Sequence, residues 1–237
     1  MQQDYDDYSD EDQQTWRRLV ELQFPLLQAH ACTAFQEGYA LLEPHLRTIP
    51  RLEDLARLLE RYAGWSVVAA DGFLSAEDYF ALLARRIFPV VPAIRKAGAL
   101  RFTPAPDIWH DVCGHLPLLF DRRYGRFVAD LSRRFAQAGE RLRVAIGRLY
   151  WFTVETGVVF EAGGRKIYGS GILSGPDEIR YAAGDAAPVR PFDLAQIVAT
   201  QPHYEDLQPF FVAIDSFDAL APLPAALERL LRGAPAR

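Results

Sequence analysis

The segment FTPAPDIWHDVCGHLPLL, Phe102 to Leu119, sets two histidines five positions apart, His110 and His115, between a proline-punctuated lead and an apolar run. Pro104 and Pro106 hold the preceding chain extended, so a helix resumes at Asp107. Working upstream, IFPVVPAIR (87–95) mixes β-branched residues with two prolines and reads as a short edge strand or an extended connection. Ser75 with Asp78 opens a helix, and Arg51 to Tyr62 puts Leu52, Leu55, Leu58, Leu59 and Tyr62 on one stripe that stops at Gly64. Ser9 with Asp12 makes a capping-box-like start to a helix carrying Trp16, Leu19, Val20 and Leu22, with a kink or break expected at Pro25 and a helical reading continuing from Ala29 to Leu42. Downstream, helices are expected over about Tyr124–Ala138 and Leu142–Thr156. VVFEAGGRKIYGSG (158–171) reads as a small β-hairpin turning at Gly163 and Gly164. A helix near Pro191–Ala199, an apolar run Phe210–Ile214 and a final helix Pro224–Leu231 complete a mainly α chain with a minor β element.

Composition bounds the function classes. With 237 residues, 50% of them hydrophobic, the chain can bury a full core as one domain. Its net charge of −5 and scattered arginines leave no basic field to gather nucleic acid or anionic lipid, so neither is expected as a partner. Only Lys96 and Lys166 are lysines among the 26 basic residues. Cys32 and Cys113 make no disulfide framework, and the acidic start lacks the basic and apolar regions of a secretory leader. No window approaches the ~18 uninterrupted apolar residues of a membrane span. The reading is a soluble cytoplasmic protein, with residues 1–12 a disordered acidic tail and 13–237 the folded domain.

The chemistry concentrates in PDIWHDVCGH and LYWFTVETG, where Glu155 stands among apolar neighbours. Five residues turn about 500° around an ideal α-helix, leaving the two imidazoles about 140° apart. Gly114 and Pro117 offer a break. If the helix ends near Cys113, His115 swings under His110 and Glu155 closes a third corner, giving the two-histidine, one-carboxylate facial triad of non-haem Fe(II) oxygenases. Spacing alone equally admits hydrogen-bonded core histidines. Cys113 reads as a small buried thiol, and His30, His45 and His203 as structural or exposed. On residue type alone Tyr79, Tyr150 and Trp151 are core aromatics and Arg95 an ion-pair residue.

Three long ordered segments, FTPAPDIWHDVCGHLPLL, RLYWFTVETG and IYGSGILSGPDEIRY, resemble the catalytic domain of the pterin-dependent aromatic amino acid hydroxylases, in particular the short bacterial phenylalanine-hydroxylating type. The resemblance extends through AGW (63–65), DGFLSAEDYF (71–80), PAIR (92–95) and LQPFFVAIDSF (207–217). It implies a helical basket, Fe(II), a tetrahydropterin and O2, and hydroxylation of an aromatic amino acid, L-phenylalanine to L-tyrosine. It also implies iron ligands at His110, His115 and Glu155. Arg95 is implied as the substrate-carboxylate arginine, with Thr103, Asp107, Trp151 and Ser174 around the substrate. Gly72, Phe73, Leu74, Tyr79 as a stacking ring, Asp111 and Tyr150 fall on the pterin positions. The chain has room for neither the regulatory domain nor the oligomerising helix of larger members, so an unregulated monomer is expected.

Three positions depart from the family pattern: Ala105 replaces a usual Glu, Phe102 a common tyrosine, and Ala76 a hydroxyl residue of some relatives. None removes a ligand. They leave open tyrosine, tryptophan or a substituted phenylalanine as substrate. Two other classes compete: a silent metal- or pterin-binding protein, which would not need to keep His110, His115, Glu155 and Arg95 together, and a zinc hydrolase, for which Asp111 is not placed as the base of an HExxH motif.

Overall fold

The structure is a computed structural model that describes residues 3–72, 74–101, 106–203 and 208–233. The first helix, α1 (Asp10–His30), starts with the expected capping box: Asp12 N donates to Ser9 Oγ and Ser9 N donates to the Asp12 carboxylate. It does not break at Pro25. Pro25 and Glu21, whose carbonyl loses its partner, are both exposed, so water satisfies that group and the helix continues. The break comes instead at Ala31 and Cys32, which are extended. Cys32 N donates to Ile167 O at 2.8 Å, so pairing with a distant strand interrupts the helix expected to run to Leu42, and α2 (Thr33–Leu42) begins anew.

The helix α3 (Leu52–Ala63) buries Leu52, Leu55 and Leu59 and stops at Gly64, whose φ of 66° suits a residue without Cβ. Then come β1 (Ser66–Ala69), α4 (Ala76–Ala84) capped by Ser75, and β2 (Ile87–Val90). Of the stretch 87–95, read as a short edge strand or an extended connection, only 87–90 forms a strand, and its parallel pairing with β1 lay outside that reading.

From Ile108 the chain is helical, passing through a π turn (His110–His115) into α5 (Leu116–Leu119). The long helices α6 (Arg122–Ala136) and α7 (Glu140–Tyr150) follow, and α7 runs into a second π turn, Trp151–Glu155. The hairpin is β3 (Gly157–Glu161) with β4 (Gly164–Ile167), turning through Ala162 and Gly163, both at positive φ. Next are α8 (Ser170–Leu173), α9 (Pro176–Ala183), β5 (Val189–Pro191), α10 (Leu194–Ala199), β6 (Phe211–Ile214) and α11 (Leu223–Gly233). The β element is therefore larger than a hairpin: β6 lies parallel to β3 and β5 parallel to β6, in the order β4-β3-β6-β5. Pro191 ends β5 instead of starting a helix, and Asp193 caps α10.

The acidic start also differs from expectation. Over the described part of 1–12, Tyr5 and Tyr8 donate their hydroxyls to Ile49 O at 2.9 Å and Pro92 O at 2.6 Å, and Leu52 N donates to the Gln3 side chain at 2.8 Å. Two tyrosines and a glutamine tie this charged segment to Ile49, Leu52 and Pro92. The core runs through all elements, with Trp16, Trp65 and Trp109 buried and Trp16 edge-on to Trp109, 5.1 Å between centroids. No helix of the described residues is long and apolar enough to cross a membrane.

Candidate active site

Both ligand candidates on the first π turn are set by its geometry. An i→i+5 turn is wider than an α turn and brings residues five apart over one another, so His110 and His115 face the same point without any helix end. The break expected at Gly114 and Pro117 is absent. Gly114 has a different use: a Cβ there would stand 2.8 Å from Ser170 O, so the glycine admits α8 against the turn. Trp109 anchors the turn in the core, and Phe88 from β2 packs on His115 with centroids 4.8 Å apart. The second π turn ends in Glu155. Gly169 and Gly171 flank Ser170 and pack on the Glu155 backbone, where a Cβ would come to 2.5 and 3.1 Å of its carbonyl oxygen.

The outcome is a compact donor set. His110 and His115 Nε2 are 3.1 Å apart, His115 Nε2 is 3.5 Å and His110 Nε2 3.9 Å from the Glu155 carboxylate, and one ligand atom from each lies within 4.8 Å of the others. Burial pushes His110 down to about 4 and His115 well below its ordinary value, so both rings are neutral near pH 7. The Ser174 hydroxyl donates to Gly171 O at 3.1 Å, so it accepts from His110 Nδ1 at 2.8 Å and leaves the His110 Nε2 lone pair facing Glu155 and His115. Burial pushes Glu155 up to about 7 despite a 2.9 Å bond from Ser170 Oγ.

Behind His110 lies a buried ion pair. Arg95 Nε and Nη2 donate to the two Asp107 oxygens at 2.8 Å each, and Arg95 N and His110 N donate to the same carboxylate. Burial raises the Asp107 pKa, but the Arg95 bonds and charge outweigh it and hold the group below its ordinary value. Arg95 Nη1 reaches Ser174 O at 3.4 Å, and Gln23, wholly buried on α1, donates to that carbonyl at 3.2 Å. Arg95, Asp107, Ser174 and His110 thus form one connected network.

A cavity of about 210 Å³ opens over the triad, walled by Ala70, Gly72, Leu74, Tyr79, Pro89, Val91, Pro106, His110, Asp111, His115 and Glu155. Asp111 accepts from Val91 N at 2.7 Å and burial holds its carboxyl well above the ordinary range. The Tyr79 and Tyr150 hydroxyls are 2.6 Å apart with the rings edge to face. Tyr150 stands behind Tyr79 rather than on the described cavity wall, and Trp151 donates to Gln208 at 3.1 Å. Phe73, Thr103, Phe102 and Ala105 lie outside the described residues. Ser170, Gln23 and Gln208 were not singled out from sequence. Only Ser170 carried a local signal, the glycine on each side of it.

Residues 4–224 match the model of the biopterin-dependent aromatic amino acid hydroxylase family. The chain belongs to this family. It is 36% identical over 232 residues to the phenylalanine-4-hydroxylase of Chromobacterium violaceum, covering 94% of this chain and 77% of that one. It is 34% identical to the tyrosine 3-monooxygenase of Rattus norvegicus, covering 90% of this chain and 43% of that one. A crystal structure of the C. violaceum phenylalanine hydroxylase with iron(III) and 7,8-dihydrobiopterin superposes with a TM-score of 0.92 at 34% identity, covering 99% of this chain and 87% of that one. The mainly helical hydroxylase fold expected from sequence is borne out, and the protein is an enzyme of this kind.

Proposed function

We propose that the hydroxylase converts L-phenylalanine to L-tyrosine with Fe(II), a tetrahydropterin and O2. The observation that carries this reading is the convergence of His110, His115 and Glu155 on one point of the cavity. The donor chemistry fits iron: two neutral imidazoles and a carboxylate form a facial triad that leaves three positions open. A cation there also relieves the burial that raises Glu155. When bound, iron and the reduced pterin supply the activated oxygen and two electrons, one oxygen atom entering the ring and the other going to the pterin.

The chain's own residues bind, orient and exclude water. We assign the iron to His110, His115 and Glu155, and the pterin to Gly72, Leu74, Tyr79 and Asp111, with Phe73 joining them from outside the described residues. Burial favours the protonated form of Asp111, which keeps one carboxyl oxygen free of Val91 to donate to a ring acceptor. Tyr150 steadies the Tyr79 phenol through their hydroxyl pair. Ala70, Leu74, Pro89 and Val91 keep the cavity apolar. We assign the substrate carboxylate to Arg95, whose guanidinium Asp107 holds in one orientation, and the rest of the substrate to Thr103, Trp151 and the Ser174 segment.

The similarity to a tyrosine 3-monooxygenase keeps the choice of ring a question for experiment. Incubation with equal L-phenylalanine, L-tyrosine and L-tryptophan, Fe(II) and tetrahydropterin is expected to consume phenylalanine first. Preferred consumption of tryptophan would overturn the substrate. Active His110→Ala or Glu155→Ala protein with wild-type iron content would overturn the ligand set.

A further inference from the structure

Away from the triad, α3, the turn between α4 and β2, and α6 meet around a pocket of about 270 Å³ whose lining includes Arg61, Tyr62, Trp65, Arg86, Arg122 and Arg126. No carboxylate is among its described lining residues, although the chain has 31 acidic residues against 26 basic ones. Elsewhere arginines are commonly matched: Arg57, Arg95, Arg123, Arg134 and Arg143 each pair with a carboxylate. The four pocket arginines have no ion-pair or side-chain hydrogen-bond partner among the described residues. Arg61 only lies against the half-exposed Tyr62 ring, 5.2 Å from its centroid.

Two local features keep the pocket in this form. Arg86 has φ +60°, a left-handed conformation that glycine adopts at less cost, yet the position carries a guanidinium that reaches over Gly64. In α6, Gly125 lies against the Trp65 indole: a Cβ there would stand 2.8 Å from Nε1. The glycine therefore lets α6 pack directly on the buried indole beside the pocket.

We propose that this pocket binds a small diphosphate ligand, with the four guanidiniums donating to phosphoryl oxygens. Guanidinium forks match phosphoryl geometry, and four uncompensated cations suit a ligand of two or more negative charges. The exposed Tyr62 ring offers a face for a base if the diphosphate belongs to a nucleotide. The inference is independent of the substrate assigned to the triad.

Isothermal titration of the full chain with pyrophosphate and with ADP tests it. Saturable one-site binding of either is expected, weakening as salt rises. Equal affinities assign the site to the diphosphate group alone, and tighter ADP binding assigns it to a nucleotide. The double variant Arg122→Ser/Arg126→Ser should lose at least tenfold in affinity with hydroxylase turnover unchanged. Arg17→Ser/Arg18→Ser, an equal charge change on exposed α1 residues, should retain it. The proposal is overturned by absence of saturable binding, by equal losses in both double variants, or by binding unaltered in both, as for chelation at the triad.

Discussion

At the scale of single residues, Arg95 is both a proposed substrate contact and half of a buried ion pair, its side chain 2% and that of Asp107 6% exposed. Removing one partner of such a pair strands the other charge, so Arg95→Ala should lower unfolding free energy by about 3–5 kcal/mol. Urea unfolding reads this directly, and undiminished stability would mean that the pair does not hold the fold. Arg95→Lys keeps the charge without the fork and should raise KM for the amino acid more than it lowers kcat. Glu178 carries a second prediction. Burial pushes its carboxyl up to about 7, and one oxygen has no hydrogen-bond partner among the described residues. A raised acid pKa means that the fold binds the proton more tightly than the unfolded chain, so stability is lost as pH rises from about 4.5 to 7. Glu178→Gln should therefore be more stable than the parent by about 3 kcal/mol at pH 8 and equal to it at pH 4; a pH-independent difference would refute the assignment. The three ligand candidates were legible because His110, His115 and Glu155 sit in long ordered segments. Ser170 and Gln23 were not, since their roles exist only once α8 and α1 pack against the ligand turns.

At the scale of elements, the two π turns do what sequence reasoning assigned to a helix end. The 140° estimate assumed α geometry throughout, and a single residue type such as Gly114 does not announce a wider turn. That glycine now has a testable role. Gly114→Ala would press a methyl onto the Ser170 backbone, so either the turn that carries both histidines or α8, which packs on Glu155, must shift. We expect a loss of about 1–3 kcal/mol in stability, together with weaker metal binding. A variant with parental iron affinity would show that the approach of α8 is not needed. The paired turns also fix a pH dependence. Glu155 takes up its proton near 7 whereas His110 resists protonation down to about 4, so between these values a bound divalent ion displaces one proton, from Glu155. Affinity should fall about tenfold per pH unit below 7 and more steeply below 4. A flat profile between pH 7 and 5, measured by metal titration, would contradict the ionisation order.

At the scale of the whole molecule, helices surround the cavity while two small sheets set its walls: β2 brings Phe88 to His115 and leads to Val91 on Asp111, and β3 follows directly from Glu155. Amphipathic helices and the hairpin were readable because their periodicity and caps are local, as in α3 with Gly64. The strands β1, β5 and β6 were not, being three or four residues long and held by partners remote in sequence, and neither was the break at Cys32, which depends on Ile167. The proposed reaction requires this framework to couple pterin oxidation to ring hydroxylation. Its most direct test is an aerobic incubation of purified protein with Fe(II), tetrahydropterin and L-phenylalanine, following tyrosine by chromatography alongside pterin oxidation. Tyrosine is expected in step with pterin consumed; iron-loaded protein that oxidises no pterin and forms no tyrosine would overturn the proposed reaction.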